Sequence, residues 1–383
     1  MKDSLPSTFE FLLLGAPSGA FDAGAALDAL HAGGRVQPLG SDLTHVIYRN
    51  PDTGVVFPLT LAVRIADHWR ARLDGAGEDG YIGAPLDQDQ GNDGDDDDDD
   101  EDEDEDEDED DEDEAFEIEE TPVVVNVPLL CPAFFALEAV DLALRVTAAA
   151  GLHLERPEPK EGAALPGGAD HHAEITADGL LTEWDRARHA LVGALFAQGD
   201  GKISFTAGSG CSKVHGPSMD LTFWSPAKSD AWFLFGSARA ALRRELEAEG
   251  IHVPILQAAA HQGQVKTLCD WRAGSPVALP RTDLVLLRRE RFKKGLIFTR
   301  RVMEEGIVDG QVIWDLLAPH GEIRKEPSEM VIFRHPGSPP QDVTARLEIL
   351  ATEPLESARR AALVGVLDFD PGTLEQPPGG ARG

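Results

Sequence analysis

The stretch that comes nearest to chemistry is "FTAGSGCSKVHGPSMD", residues 205 to 220. Gly208 and Gly210 free the backbone around Cys211, while Lys213 and His215 bring positive charge that would lower a thiol pKa. A thiolate beside a histidine base is the arrangement of a covalent nucleophile, so Cys211 and His215 are the catalytic candidates. No residue nearby in sequence orients His215, and Gly-Ser loops are common in proteins without such chemistry. A structural loop is the favoured reading.

Metal ligation by Cys211, His215, His261 and Cys269 lacks the short paired spacing of zinc sites, and His171 with His172 sits in a Pro- and Gly-rich stretch where solvation is expected. Phosphate binding fares no better. In "FEFLLLGAPSGAFDAG" the glycines Gly15, Gly19 and Gly24 match no dinucleotide or phosphate-loop spacing, and in "GDGKIS" Phe196 stands where a phosphate loop needs glycine. Neither a metal nor an organic cofactor is expected.

Two charged stretches remain. Asp95 to Glu114, with Asp100 and Asp110 between them, is a run of twenty carboxylates. Twenty like charges cannot pair with one another or bury surface, so the run is expected to be solvated, extended and disordered. "RTDLVLLRRERFKKGLIFTRR", Arg281 to Arg301, carries eight Arg or Lys against Asp283 and Glu290. Its basic patch, Arg288, Arg289, Arg291, Lys293 and Lys294, reads as a hairpin with a "RFKKG" turn. It is either merely solvated or able to dock a polyanion, the chain's own carboxylates included.

The whole chain supplies the background for these stretches. Its 383 residues contain 34 Lys and Arg against 69 Asp and Glu, a formal charge of −35; against the 49 acidic residues outside the run the balance is still −15. Such a surface repels nucleic acid and anionic lipid on average and favours a neutral or cationic partner. Cys131, Cys211 and Cys269 are too few and too scattered for a disulfide framework. The most apolar stretch, Val123 to Leu137, is short and interrupted by Asn126, Pro128 and Pro132, so no membrane span is expected. A cytoplasmic location follows as the expectation, and the Arg-, Ala- and Gly-rich, Lys-poor composition fits a bacterium of high-GC genome.

The pattern predicts α+β architecture: two α/β-sandwich-like domains with mostly antiparallel sheets. Residues 1–155 form the first, with the acidic insertion at about 87–115; 156–178 link it to a second over 179–370, and 371–383 are a tail. In the first, Phe9 to Gly15 is a strand, Asp22 caps a helix with Ala23, Leu27 and Leu30 inward, and Leu43 to Val63 is a hairpin turned at "NPDTG". "TPVVVNVPLL" is a strand. Pro132 then opens a helix to Ala150, on which Glu138, Asp141 and Arg145 share a polar face while Leu137 and Leu144 join the apolar one. With so few elements before the run, the elements after it are needed to complete the first core, which makes the run an insertion rather than a linker.

In the second, Leu180 to Gln198 is helical, Ser237 caps a helix that Gly250 ends, and the strands from "HVPILQA" to "DLVLLRR" suggest a meander. "TRRVMEEGIVDGQVIWDLLAPHG" adds one or two short helices stopped by Pro319, and Leu355 to Val364 a last one. Trp184, Trp224, Trp232, Trp271 and Trp314 are expected to be core.

Three functional classes fit these residues. The leading one is a non-catalytic, acidic, cytosolic binding protein that neutralises or escorts a basic protein partner, in the manner of an immunity or antitoxin-like factor. The alternatives are a Cys-based enzyme using Cys211 and His215, and a nucleic-acid-associated regulator using Arg281 to Arg301.

Overall fold

The computed structural model describes residues 8–14, 21–75, 122–155, 175–197, 202–203, 219–294, 299–335 and 338–368. The carboxylates Asp95 to Glu114 and the loop holding Cys211 and His215 lie outside them. The architecture is mixed α+β.

The largest sheet has six strands, β1 (Thr8–Leu14), β2 (Val36–Leu39), β3 (Asp42–Arg49), β4 (Val56–Leu61), β5 (Val123–Pro128) and β6 (His153–Glu155), in the order β2-β3-β4-β5-β1-β6. Every pairing in it is antiparallel. β5 therefore lies between β4 and β1, with Val123 opposite both Leu61 and Leu13. The strand that follows the acidic run is interior to the sheet begun before it.

Three helices cover one face: α1 (Ala23–His31), α2 (Val63–Gly75) and α3 (Phe134–Ala150). Asp22 caps α1 as its sequence predicts, its carboxylate accepting from the Ala25 N–H at 2.9 Å. At the β3–β4 turn the Asn50 carbonyl accepts from Gly54 N at 2.8 Å, and Gly54 holds φ +76°. α2 is a helix where the sequence reading had only the end of a strand; it buries Ile65, Ala66 and Trp69 on one stripe.

Beyond α4 (Ala177–Ala197) come the short pairs β7 (Lys202–Ile203) with β8 (Met219–Asp220) and β9 (Thr222–Phe223) with β18 (Val366–Leu367). The long α5 (Pro226–Glu247) follows β9. Ser225 caps α5, accepting from Lys228 N at 3.3 Å with Pro226 in the first turn, so Ser237 is an exposed interior position and not the cap expected from sequence. Gly250 does mark the stop: it takes φ +70°, and Ile251 N donates to the Leu246 carbonyl.

The second large sheet contains β10 (Gln257–His261), β11 (Gln264–Arg272), β13 (Leu284–Lys294), β14 (Thr299–Asp309) and β17 (Ala358–Arg360), ordered β14-β13-β11-β10-β17. It is not the meander expected from sequence. β12 (Val277–Pro280) leaves to pair with β16 (Met330–Phe333), which also takes β15 (Glu322–Arg324). That excursion lets β13 return parallel to β11, with Trp271 opposite Leu287. α6 (Gly310–Leu317) ends in a 3-10 turn at Ala318–His320, and α7 (Gln341–Ile349) is a helix the sequence reading lacked. Leu355 to Val364 is not a helix: a 3-10 turn at Leu355–Ser357 leads into β17, whose backbone completes the β10 edge.

The five tryptophans expected in the core are all buried, and Trp69 with them. Hydrophobic contact runs without interruption from Phe11 and Leu27 through Phe135 and Trp232 to Trp271 and Phe333.

Candidate functional site

Of the residues predicted to do chemistry, Cys211, His215, His171 and His172 fall outside the described residues. His261 and Cys269 sit on neighbouring strands with other commitments. His261 is buried, its Nε2 lying 2.9 Å from Glu353 Oε2. Cys269 is enclosed with Sγ 3.5 Å from Thr282 Oγ1, and burial pushes its thiol up to about 12. Cys131 is buried as well; loss of solvent raises its thiol pKa against the opposing pull of Arg188, and its Sγ donates to the Pro128 carbonyl at 3.0 Å. Protonated and inaccessible thiols make neither nucleophiles nor ready metal ligands. Among the described residues, no three His, Cys, Asp or Glu are grouped so as to hold a metal ion.

The basic stretch forms a hairpin, but not with the expected turn: Arg291 to Lys294 continue β13, and Thr299–Asp309 is the strand β14 where short helices were expected, so the register decides the electrostatics. Pairing β13 with β14 sets Arg288 opposite Glu305 and Arg289 opposite Glu304. Arg288 Nε then lies 3.2 Å from Glu305, Arg289 Nε 2.7 Å and Arg291 Nε 2.8 Å from Glu304, and Arg301 Nε 3.3 Å from Glu290. Asp270 on β11 adds a contact to Arg288 at 3.7 Å. Arg289 is only 5% exposed and also donates to the Leu347 carbonyl, so it is a packed residue rather than a surface cation. Lys293 and Lys294 lie at the far end of β13, opposite Arg300 and Thr299. The positive balance counted over 281–301 is reduced by Glu304 and Glu305, which stand just past that window and become visible as partners only through the register.

Two buried polar clusters escaped the sequence reading. Glu138, assigned to the solvent face of α3, is 8% exposed. Its carboxylate accepts from Tyr48 Oη at 2.8 Å, from Asn50 Nδ2 at 2.9 and 3.1 Å, and from Thr53 Oγ1. Leu137 and Leu144 are correspondingly exposed, because the helix is turned so that Phe135, Glu138, Leu142 and Val146 face inward. Burial and the Glu138 charge together push the Tyr48 hydroxyl up to about 12, which keeps it a donor. In the second cluster, Arg188 on α4 meets Asp368 at 2.7 Å, both almost solvent-free. Asp368 also accepts from Ala133 N at 2.9 Å and from Ser229 Oγ at 3.1 Å. Both carboxylates are held by several donors, which suits them to fixing the packing of distant segments.

A cavity of about 490 Å³ opens between α5, the start of β11, the segment entering β13 and the start of α6. Asp283 anchors one wall: a single carboxylate oxygen accepts from Lys228 Nζ at 2.6 Å, Thr267 N at 2.7 Å and Thr267 Oγ1 at 2.9 Å. Arg281 crosses the opposite side, bonded to Glu329 at 2.7 Å and to Gln311 at 3.1 Å, with its guanidinium over the Trp314 ring. Lys266 also lines the space. The space is of the size that takes a small molecule.

No known protein family matches the chain, and no curated protein or solved structure does either. No helix among the described residues is long and apolar enough to cross a membrane.

Proposed function

We propose that the chain is a non-catalytic binding protein whose carboxylates, Asp95 to Glu114, engage a basic protein partner in the cytosol and neutralise or escort it. One observation carries this reading. Arg288, Arg289, Arg291 and Arg301 each already hold a carboxylate of the same sheet, so the run is not required to neutralise them. Its twenty charges are left to a partner in trans.

In this reading the chain comprises two α/β-sandwich-like domains, 1–155 and 179–370, with 156–178 between them. The run is an insertion of the first. Support comes from its flanks, since β4 before it and β5 after it pair in one sheet. Twenty residues of chain span at most roughly 66 Å, enough to follow a cationic surface.

The test is affinity capture from lysate with the full chain and with a deletion of Asp95 to Glu114. Basic proteins should be retained by the full chain at about 0.1 M salt, released as the Debye length shrinks toward 1 M, and absent from the deletion. Equal capture by both chains would overturn the proposal. Salt-sensitive retention of the deleted chain on heparin would move the assignment to nucleic acid and the 281–301 hairpin.

A further inference from the structure

We propose that the cavity beside Lys266 binds a small organic monocarboxylate with an apolar body. The inference is independent of the carboxylate run and concerns a different face of chemistry. It begins with the cavity's charges. Lys228 is matched by Asp283 and Arg281 by Glu329, each pair at 2.6 to 2.7 Å. Asp309 also lines the space, but its Oδ1 is engaged by the Gln311 and Val312 N–H groups at the start of α6, where the helix end favours negative charge.

Lys266 is different. Among the described residues its ammonium makes no hydrogen bond and no ion pair, although it is partly buried on β11 of an acidic protein. Its charge acts on Glu353, whose carboxylate is already held by His261 at 2.9 Å. The cavity therefore offers one uncommitted cation, with the spare N–H donors of Lys228 on the same wall.

That charge balance selects the ligand. A phosphate dianion would face Asp283, Asp309 and Glu329 with a single free cation to meet it, whereas a carboxylate carries the one charge available. Part of the lining is apolar: Trp232, Leu256 and Pro280 are buried side chains that give an alkyl or aryl body somewhere to lie, beside the polar Thr282 and Ser328. A volume of about 490 Å³ is that of a small-molecule site.

Phenylpropionate and hexanoate, each paired with its own amide, and inorganic phosphate are the probes, titrated calorimetrically into the full chain. At least one carboxylate should bind with Kd below about 1 mM and its amide at least about tenfold more weakly, the loss of one charge-assisted contact. Lys266→Met should lose the carboxylate by a similar factor while keeping its melting temperature, and Lys266→Arg should retain it. Any of three results overturns the proposal: neither carboxylate binds below about 1 mM, acid and amide bind alike, or phosphate binds in their place. Should Lys266→Met fail to fold, Lys266→Arg and the acid-to-amide comparison on the natural chain still decide.

Discussion

The indole N–H of Trp232 donates to the backbone carbonyl of Thr53 at 2.6 Å, joining α5 to the β3–β4 turn across 179 residues of sequence. Around it the fit is close. Arg239 holds Asp52 at 2.7 Å, and Gly236 lies so near the turn that an added Cβ would stand 2.5 Å from the Asp52 carbonyl oxygen. Gly236→Ala should therefore push α5 off the turn and cost about 1–3 kcal/mol, with urea unfolding as the measurement. A variant as stable as the parent would show that the junction is looser than this contact implies.

Glu138 should be the more sensitive half of the same junction, because its carboxylate collects donors from Tyr48, Asn50 and Thr53. Glu138→Ala strands those donors in the core, a loss of about 3 kcal/mol or more. Glu138→Gln keeps the shape and one acceptor, so it should fall between the two in chemical denaturation.

Within the basic hairpin, burial rather than charge should rank the arginines. Arg289 is enclosed and bonded to both Glu304 and the Leu347 carbonyl, whereas the Arg288 side chain is 44% exposed. Arg289→Ala should cost about 3 kcal/mol by leaving a buried group unpaired, and Arg288→Ala less than about 1 kcal/mol. Equal effects in paired melts would refute the ranking.

Asp283 sets an acid limit on stability. Burial pulls its carboxyl pKa upward, but the hydrogen bond and charge of Lys228 and the two Thr267 donors outweigh that and hold it below the ordinary Asp value. A folded-state pKa below the unfolded one contributes stability that is complete above the unfolded pKa, about 3.9, and lost as pH falls through the folded value. The melting temperature of the natural chain should thus fall more steeply than that of Asp283→Asn between neutral pH and about pH 3. Parallel curves would remove Asp283 from the acid response.

What the sequence made legible was local. The Asp22 cap, the "NPDTG" turn and the α3 boundaries are each written in a few adjacent residues, and the structure has all of them, whereas Thr299–Asp309, expected to start a short helix, is a strand because its partner β13 supplies the ladder. What it hid depends on distant partners. Glu138 looks like a solvent residue because Asp141 and Arg145 share its helical face, and its burial is set by a turn about ninety residues earlier. α2 is rich in Arg and Asp, and its inward stripe of Ile65, Ala66 and Trp69 follows directly on a strand, so the change of period passed unseen. β11 and β13 look like successive strands of a meander until β12 is seen to belong to another sheet. The cavity was invisible for the same reason, since Lys228, Lys266 and Arg281 have no sequence spacing in common.

The interior position of β5 also imposes an order on synthesis. β1, an apolar strand, finds both of its sheet neighbours only when Val123–Pro128 and His153–Glu155 have been made, more than a hundred residues later. At about 5–20 residues per second that wait is on the order of ten seconds, during which an unpaired apolar strand is exposed to other nascent chains on the same message. Asp95 to Glu114 is translated within that interval, before β5. Every incomplete chain past this point therefore carries twenty negative charges, which repel its neighbours on the polysome until β5 closes the sheet.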